Sequence, residues 1–443
     1  MISLFLALIE LHITPAQIEV QGKQAEIFSV TQSDGTQGVR LNEKDFFDVT
    51  LRNRLNVPSS IHWHGLVLPN DQDGVAFVTQ FPLYPGQDYS YRFPLVQSGT
   101  YWMHSHVGLQ EQRLLSAPLI ISSENDKQIA DQEVVLLLTD FSFRSPEEIF
   151  TRLRKPMQME MSHDKPDLVE VDYDAFLTNL HTLEKPEVVT VQPGSKVRLR
   201  IIDGSSATNF FINTGSLSAT AIAVDGHSIE PLVKQQFELA VAQRIDLLVT
   251  IPKEGGAFPI LAQGEGTAQQ TGLILATPGA QIPKLSDKAE KSVGGLTNLQ
   301  EGELRSLTPL SPKKVDQTLT LELGGDMASY VWTLNGQAWP EVTPLVVEKG
   351  QRVELIFTNK TGMSHPMHLH GHVFQVTQID ERPVQGALRD TLLVMPNSTI
   401  AVQFDADNPG VWPLHCHILY HMEAGMFTVL RYMDFQQPLS LLK

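Results

Sequence analysis

The one cysteine of this 443-residue chain, Cys416, lies between two histidines, with a further histidine and a methionine close behind it. The ligands in this run are His415, Cys416, His417, His421 and Met426. A thiolate, imidazoles and a thioether at such spacing form a soft, polarizable set of the kind that copper prefers. The spacing therefore predicts a copper site that includes Cys416.

Histidines also occur as His-x-His pairs in three other places, and these windows together with the cysteine run hold ten of the fifteen histidines. The other pairs are His62/His64, His104/His106 and His368/His370, and the tenth histidine is His365. Residues i and i+2 of a strand point to the same face, so each pair can clamp a metal. One such pair is more often incidental, but four matched pairs indicate ligands. Structural zinc is disfavoured because it prefers closed sets with several thiolates.

The chain repeats one sequence unit three times. Windows of a turn, an alternating strand, a loop and a second strand align without gaps at residues 41–65, 191–215 and 347–371. A second element repeats at residues 99–106, 256–263 and 410–417. Short strands with Gly and Pro turns predict an all-β chain of three antiparallel, Greek-key β-sandwich domains. The predicted bounds are 1–125, 126–285 and 316–443, with a linker at 286–315.

Comparison of the copies places the ligands in the first and third domains. The pair His62/His64 of copy one matches His368/His370 of copy three, and His104/His106 match His415/His417. Copy two has no histidine at these positions, which hold Ile212, Thr214, Leu261 and Gln263. Eight imidazoles from two related domains are too many for one metal. They predict a shared three-copper cluster with open positions for a small ligand such as O2.

The same alternation turns Cys416 away from its two neighbours and into the third domain. There it can meet His365 and His421, with Met426 as a weak axial ligand. Two imidazoles, a thiolate and a long axial thioether form the trigonal site known for fast electron transfer. A two-site arrangement of the nitrite-reductase kind leaves the remaining histidines unexplained.

These motifs resemble the multicopper oxidases, a three-cupredoxin family that includes laccases, ferroxidases and cuprous oxidases. The resemblance spans essentially the whole chain, and segments 97–112 and 415–427 are most similar to bacterial periplasmic copper-resistance oxidases. It implies cupredoxin-like domains, four copper ions, and oxidation of a reductant coupled to reduction of O2 to water. By position, His365, Cys416, His421 and Met426 would hold type 1 copper, and His62 and His368 type 2 copper. The type 3 pair would be held by His64, His104, His106, His370, His415 and His417.

The resemblance also implies two catalytic residues. Cys416 would carry electrons to the cluster, because both of its neighbours would bind cluster copper. Asp73 matches the family's acidic residue, which orients a copper-bound water and relays protons; the alternative is a turn aspartate before Gly74.

One departure from the family leaves the proton route open. Several members carry a second carboxylate just after the cysteine motif, where this chain has Leu419 and Met422. Glu423 is close but lies on a different helical face. Four protons must reach each O2, and Asp73 is the one carboxylate that the motifs supply.

The substrate is predicted from thioethers outside the cluster. Met157, Met159, Met161 and His163 alternate along the second domain, and soft sulfur selects Cu(I), which favours cuprous oxidation in copper resistance. The alternative is that these methionines fill apolar gaps, and Met363 has the same two interpretations. Laccase-like oxidation of phenols or aromatic amines is the second hypothesis. A non-catalytic scaffold or a copper-sequestering protein is a third, although a scaffold would have lost ligands.

The composition of the chain limits which partners and which cellular location are expected. The net charge of −17 repels nucleic acid and suits cationic reductants. No apolar run approaches the roughly 18 residues of a membrane span. We expect a monomer that meets O2 and either Cu(I) or a small phenol, in the periplasm or otherwise exported. The apolar start lacks a basic region and a small-x-small cleavage site, so it is either a clipped signal peptide or, as we favour, a first strand in which Ile9, Leu11 and Ile13 alternate with polar residues.

Two short helices are predicted. A capping box, Ser145 to Glu148, opens a helix through about Lys155. Residues 417–424 could wind as one or two turns.

Overall fold

The computed structural model describes residues 8–155 and 168–436. Strands make up 48% of the structure and helices 7%. The described strands form six sheets, two for each of three successive units. This arrangement confirms the predicted all-β fold. No helix among the described residues is long and apolar enough to cross a membrane.

The described part of the first unit has eight strands in two four-stranded sheets of order β2-β1-β4-β6 and β3-β8-β7-β5. Its strands are β1 Ile9–Val20, β2 Lys23–Gln32, β3 Val39–Asn42, β4 Phe46–Asn53, β5 Ile61–His64, β6 Asp88–Pro94, β7 Gly99–Ser105 and β8 Ser116–Ser122. Leu11 and Ile13 of β1 are fully buried, which confirms the predicted alternation of the first strand.

The described part of the second unit has eleven strands in sheets of order β10-β9-β12-β17-β14-β15 and β11-β19-β18-β13-β16. They are β9 Gln132–Phe141, β10 Ala175–Thr178, β11 Val188–Thr190, β12 Lys196–Asp203, β13 Phe210–Asn213, β14 Ala219–Val224, β15 His227–Lys234, β16 Gln236–Leu239, β17 Arg244–Thr250, β18 Ala257–Gly264 and β19 Gln270–Ala276.

The third unit has sheets of order β21-β20-β23-β29-β25-β26, with β27 also paired to β25, and β22-β31-β30-β24-β28. Its strands are β20 Gln317–Asp326, β21 Val331–Leu334, β22 Leu345–Val347, β23 Arg352–Asn359, β24 His365–Leu369, β25 Phe374–Ile379, β26 Arg382–Pro383, β27 Leu388–Arg389, β28 Thr391–Val394, β29 Thr399–Asp405, β30 Val411–Cys416 and β31 Phe427–Tyr432. The domain boundaries near 125 and 285 and the linker 286–315 remain a prediction.

The described helices are short and lie between the strands. They are α1 Asp126–Ile129, α2 Pro146–Leu153, α3 Leu299–Glu303 and α4 Leu419–Glu423, with 3-10 turns at Asn70–Gln72 and Gln110–Arg113. The Ser145 hydroxyl accepts a hydrogen bond from the Glu148 amide, so the predicted cap forms, although the helix ends two residues before Lys155. The turn predicted within residues 417–424 is α4.

The three units share a core of two four-stranded sheets, to which the second and third units add further strands at one edge of each sheet. Each sheet also contains one parallel strand pair, such as β1 with β4 and β3 with β8, which the antiparallel prediction did not include. The strand pairs that carry the repeated motifs are β5/β7, β13/β18 and β24/β30. His62 lies opposite His104, and His368 lies opposite His415.

The middle copy differs from the sequence alignment by one residue. The alignment pairs Ile212 with His62 and so predicts Leu261 as its partner, but Ile212 lies opposite Ala262. The alignment of this copy rested on few matching residues, and a shift by one residue exchanges the two faces of a strand.

Alternation along the motif strands separates a core face from a site face. Ile61 and Trp63 of β5 pack in the hydrophobic core, where the Trp63 ring lies 4.9 Å from those of Phe47 and Tyr91. The intervening histidines face the other way. The core thus fixes the strand, and the strand fixes the direction of its imidazoles.

Candidate metal centre

Eight buried imidazoles meet between the first and third units. His62 and His64 lie on β5, His104 on β7, His368 on β24 and His415 on β30. The second member of each of the other three pairs follows its strand directly: His106, His370 and His417. All eight are buried, and the most exposed is His106 at 9%. The structure therefore brings together every histidine that the repeat assigned to the cluster.

The imidazoles form three groups in which the ligand atoms lie within 4.8 Å of one another. The groups are His62/His64/His368, His64/His104/His417 and His106/His370/His415. Each group contains imidazoles from both units. The second and third groups each take one histidine from the pair His104/His106 and one from the pair His415/His417. Two neighbouring metal positions would therefore share the same two strands.

The nitrogens that face into this site lack partners. Among the described residues, five such buried atoms have no hydrogen bond: His62 Nε2, His64 Nδ1, His104 Nε2, His368 Nε2 and His417 Nε2. The Nε2 atoms of His106 and His370 face that of His415 at 3.4 and 3.0 Å. An unpaired buried polar atom costs about 1–3 kcal/mol, so this many in one place calls for bound cations.

Electrostatics keeps these imidazoles in the form that binds metal. Burial, with repulsion from neighbouring imidazoles, lowers the pKa well below its usual value in six of them, which are His64, His104, His106, His368, His370 and His417. Burial also lowers the pKa of His415 to about 4. A neutral imidazole offers a lone pair, so the donor set fits copper.

The outer nitrogens are held by fixed acceptors. His62 Nδ1 lies 3.0 Å from the Asp73 carbonyl oxygen, and His368 Nδ1 lies 2.8 Å from that of Asp390. His415 Nδ1 lies 2.9 Å from the Cys416 carbonyl oxygen. Such contacts set the tautomer of a ligating histidine and the direction of its free lone pair.

Asp73 is fully buried and touches the backs of two imidazoles. Its Oδ1 lies 3.2 Å from His62 Nδ1, and its Oδ2 lies 3.0 Å from His370 Nδ1. Burial raises the pKa of this carboxyl. Asp73 also lies in a turn. The next residue, Gly74, has a φ of +86°, and a side chain at that position would collide with the Ile61 carbonyl oxygen. The predicted roles of Asp73 in orienting water and relaying protons remain predictions.

Two further buried carboxylates at the site have no motif in the sequence. Asp390 Oδ1 lies 3.1 Å from His64 Nε2 and accepts a hydrogen bond from Arg244 at 2.8 Å. Glu111 Oε2 lies 2.8 Å from His104 Nδ1. Burial, followed by the charges of Asp140 and Asp203, raises the pKa of Glu111.

The cysteine site lies on the opposite face of β30. Cys416 packs among core residues, and its Sγ is 3.6 Å from His365 Nδ1 and 3.8 Å from His421 Nδ1. The two Nδ1 atoms are 3.1 Å apart. Met426 is buried beside them, and its carbonyl oxygen accepts a hydrogen bond from the Cys416 amide at 3.1 Å. This soft set of two nitrogens and one sulfur fits one copper ion.

Polar groups hold both histidines of the cysteine site. The Thr361 hydroxyl lies 2.7 Å from His365 Nε2, and Glu170 Oε2 lies 3.0 Å from His421 Nε2. No motif in the sequence points to Glu170. Met363 is buried in the hydrophobic core, which favours its packing role over a place on the rim.

The family's second carboxylate is absent at both expected positions. Leu419 is buried, and Met422 lines a cavity of about 330 Å³ together with His106, Phe77 and Trp339. Glu423 lines the same cavity, and burial raises the pKa of its carboxyl. Glu423 and the cluster imidazole of His106 thus line one cavity.

Comparisons with known proteins agree with this geometry. Three family profiles described as multicopper oxidase match residues 12–126, 133–278 and 312–436. The chain is 33% identical over 435 residues to multicopper oxidase MmcO of Mycobacterium tuberculosis, covering 94% of this chain and 85% of that protein. It is 27% identical over 561 residues to copper resistance protein A of Escherichia coli, covering 95% and 92%.

Solved structures share the architecture. The laccase from Botrytis aclada superposes with a TM-score of 0.81 at 23% identity, covering 98% of this chain and 89% of that one. A multi-copper oxidase from Pseudomonas thermotolerans superposes with a TM-score of 0.74 at 25% identity, covering 96% and 98%. With family profiles that match most of its length and a relative this similar, the chain belongs to the multicopper oxidases.

Proposed function

We propose that this protein oxidises Cu(I) and couples that oxidation to the reduction of O2 to water. Copper bound at the two sites would supply one-electron oxidation beside Cys416 and four-electron reduction of O2, with four protons, among the eight imidazoles. The observation that carries the oxidase proposal is the adjacency of the two sites. Cys416 faces one site, while His415 and His417 on either side of it face the other.

The route between the sites is short because it follows the chain. The Cys416 side chain lies with His365 and His421, and its own carbonyl oxygen accepts from the imidazole of His415. An electron delivered to the sulfur therefore crosses only a few bonds and one hydrogen bond to reach a cluster ligand. Keeping the sites apart lets a reductant deliver electrons without touching activated oxygen.

Charge at the cysteine site supports a cationic reductant. The carboxylate of Glu170 contacts His421 and accepts a hydrogen bond from the Tyr330 hydroxyl at 2.9 Å. Its side chain is 2% exposed, and its second oxygen, Oε1, has no hydrogen-bond partner among the described residues. A buried carboxylate with a free oxygen attracts a cation.

The methionines predicted to bind substrate copper, Met157, Met159 and Met161, lie with His163 outside the described residues. Described residues before and after that segment contact groups around the cysteine site. On one side, the Phe150 ring lies 6.2 Å from Tyr330 and 6.3 Å from Tyr420. On the other side, Glu170 touches His421. Soft thioether sulfur selects Cu(I), so the residue types of this segment support Cu(I) as the reductant.

The cellular role is proposed to be copper resistance, in the periplasm or otherwise outside the cytoplasm. The relatives named copper resistance protein A support this role. Laccase-like oxidation of phenols is the second candidate, since the chain is also 28% identical over 485 residues to laccase-3 of Thanatephorus cucumeris.

The substrate is tested by replacing Met157, Met159 and Met161 together with serine. Loss of the thioethers should slow O2 uptake with Cu(I) by about tenfold or more, equivalent to about 1.4 kcal/mol. O2 uptake with a phenol should not change.

A triple leucine variant at the same positions is the matched control, because leucine keeps the apolar volume and removes the sulfur. Cuprous activity lost in both variants assigns the segment to copper binding. Normal cuprous activity in the leucine variant, or in both variants, refutes that assignment and favours a packing role.

A further inference from the structure

Glu111 is a buried carboxylate at the back of the imidazole cluster. It lies in the 3-10 turn Gln110–Arg113 that follows β7, and its side chain is 3% exposed. Its Oε2 is 2.8 Å from His104 Nδ1, and its Oε1 is 3.9 Å from His417 Nδ1. One carboxylate thus reaches imidazoles that come from two different units of the chain.

Those two imidazoles belong to the same metal group. His104 and His417 share the group His64/His104/His417, and within the described chain both have an Nε2 atom without a partner on the inner side. His104 Nδ1 lies 3.1 Å from the Ser105 carbonyl oxygen as well as 2.8 Å from Glu111 Oε2, and a proton held on Nδ1 by these two acceptors leaves the Nε2 lone pair facing the group. The third member, His64, is held separately by Asp390 and Thr391.

The internal repeat gives this carboxylate a counterpart. Glu111 lies five residues after His106, and Met422 lies five residues after His417. Both positions fall in a helical turn, the 3-10 turn in the first unit and α4 in the third. The chain therefore carries in its first unit a carboxylate at the position where its third unit has a thioether.

The ion-pair contacts of the buried Glu111 carboxylate are with histidines of the cluster. Within the described ranges, its ion-pair contacts are with His104 and His417, no lysine or arginine contacts it, and its Oε1 has no hydrogen-bond partner. A carboxylate buried without a cation is costly, and a metal ion on the far side of the two imidazoles would offset that cost.

We propose that Glu111 is a positioning residue that fixes His104 and His417 for one ion of the copper pair and joins the first and third units at that ion. This inference rests on the proposed function. Removing partners of this kind typically lowers metal affinity by about 10–100-fold.

The test compares Glu111→Leu and Glu111→Gln with Glu265→Gln in copper-loaded protein. Glu265 is also a buried carboxylate, but it accepts from Asn209 and the Leu296 amide and touches no histidine of the described chain. Copper content, chelator competition, the near-ultraviolet absorption of the coupled pair and the blue absorption of the cysteine site are measured. Loss of the whole side chain should weaken one copper position by about 100-fold and loss of charge alone by about tenfold.

The expected pattern is selective. As the chelator concentration rises, both Glu111 variants lose the near-ultraviolet band before the blue band. Glu265→Gln has a lower thermal stability but keeps both bands and all of its copper. Unchanged copper affinity in Glu111→Gln and Glu111→Leu overturns the inference, as does equal copper loss in Glu265→Gln. If the leucine variant does not fold, the glutamine variant decides. A wild-type protein that lacks either band refutes the proposed function instead.

Discussion

Replacing Cys416 with serine is expected to abolish the intense blue absorption and to reduce oxidase turnover by roughly a thousandfold, equivalent to about 4 kcal/mol. Cys416 is fully buried between His365 and His421, and it supplies the thiolate of that site. A serine hydroxyl is a hard donor and does not replace the thiolate.

The fold should survive this substitution, because serine and cysteine are similar in size; the change in stability should stay within about 1–3 kcal/mol. Absorption spectra, copper content and far-ultraviolet circular dichroism check the three expectations. Copper at the eight imidazoles should remain, so the protein should lose about one ion only. Blue colour that persists in the serine variant would refute the assignment of Cys416.

Replacing Arg244 with leucine is expected to destabilise the protein by about 3–5 kcal/mol, the cost of breaking a buried ion pair from one side. Arg244 belongs to the second unit and is fully buried. It donates to the Thr100 carbonyl oxygen of the first unit at 3.1 Å and to Asp390 of the third at 2.8 Å. Without it, the Asp390 carboxylate beside His64 loses its main cation.

Arg40→Leu is the matched control for Arg244. Arg40 also links two units, through a contact of 3.3 Å with Glu133, but its side chain is 54% exposed. Exposed pairs contribute about 0–1 kcal/mol, so this variant should unfold close to the wild-type midpoint. Urea unfolding followed by fluorescence compares the two. Equal midpoints for the two variants would show that Arg244 does not join the units.

These contacts give the second unit a structural role at both candidate copper sites. The second unit supplies Arg244 to the wall of the imidazole cluster and Glu170 to the face of the cysteine site. It thereby contributes charge to both sites, while the imidazoles of both groups come from the first and third units.

Much of the fold and of the ligand set could be predicted because both follow from local sequence patterns. The His-x-His pairs have fixed spacing, and a threefold repeat allowed one copy to be compared with another. Alternation along the strands then indicated that Cys416 faces away from His415 and His417. The structure brings the eight imidazoles close together and places Cys416 with His365 and His421.

The supporting charges could not be predicted, because each depends on partners far apart in the sequence. Arg244 and Asp390 are 146 positions apart, and His421 and Glu170 are 251 apart. A single glutamate or arginine in a strand or loop carries no periodic signal. The spacing of Glu111 after His106 likewise becomes meaningful only once the turn that carries Glu111 is seen to fold back onto His104.

The most direct measurement is a crystal structure of the copper-loaded protein with anomalous diffraction at the copper edge. Three strong peaks should lie among the imidazoles of the first and third units. A fourth should lie between Cys416, His365 and His421. Fewer than three peaks among the eight imidazoles, or imidazoles too far apart to share them, would contradict the shared copper cluster on which the proposed oxidase depends.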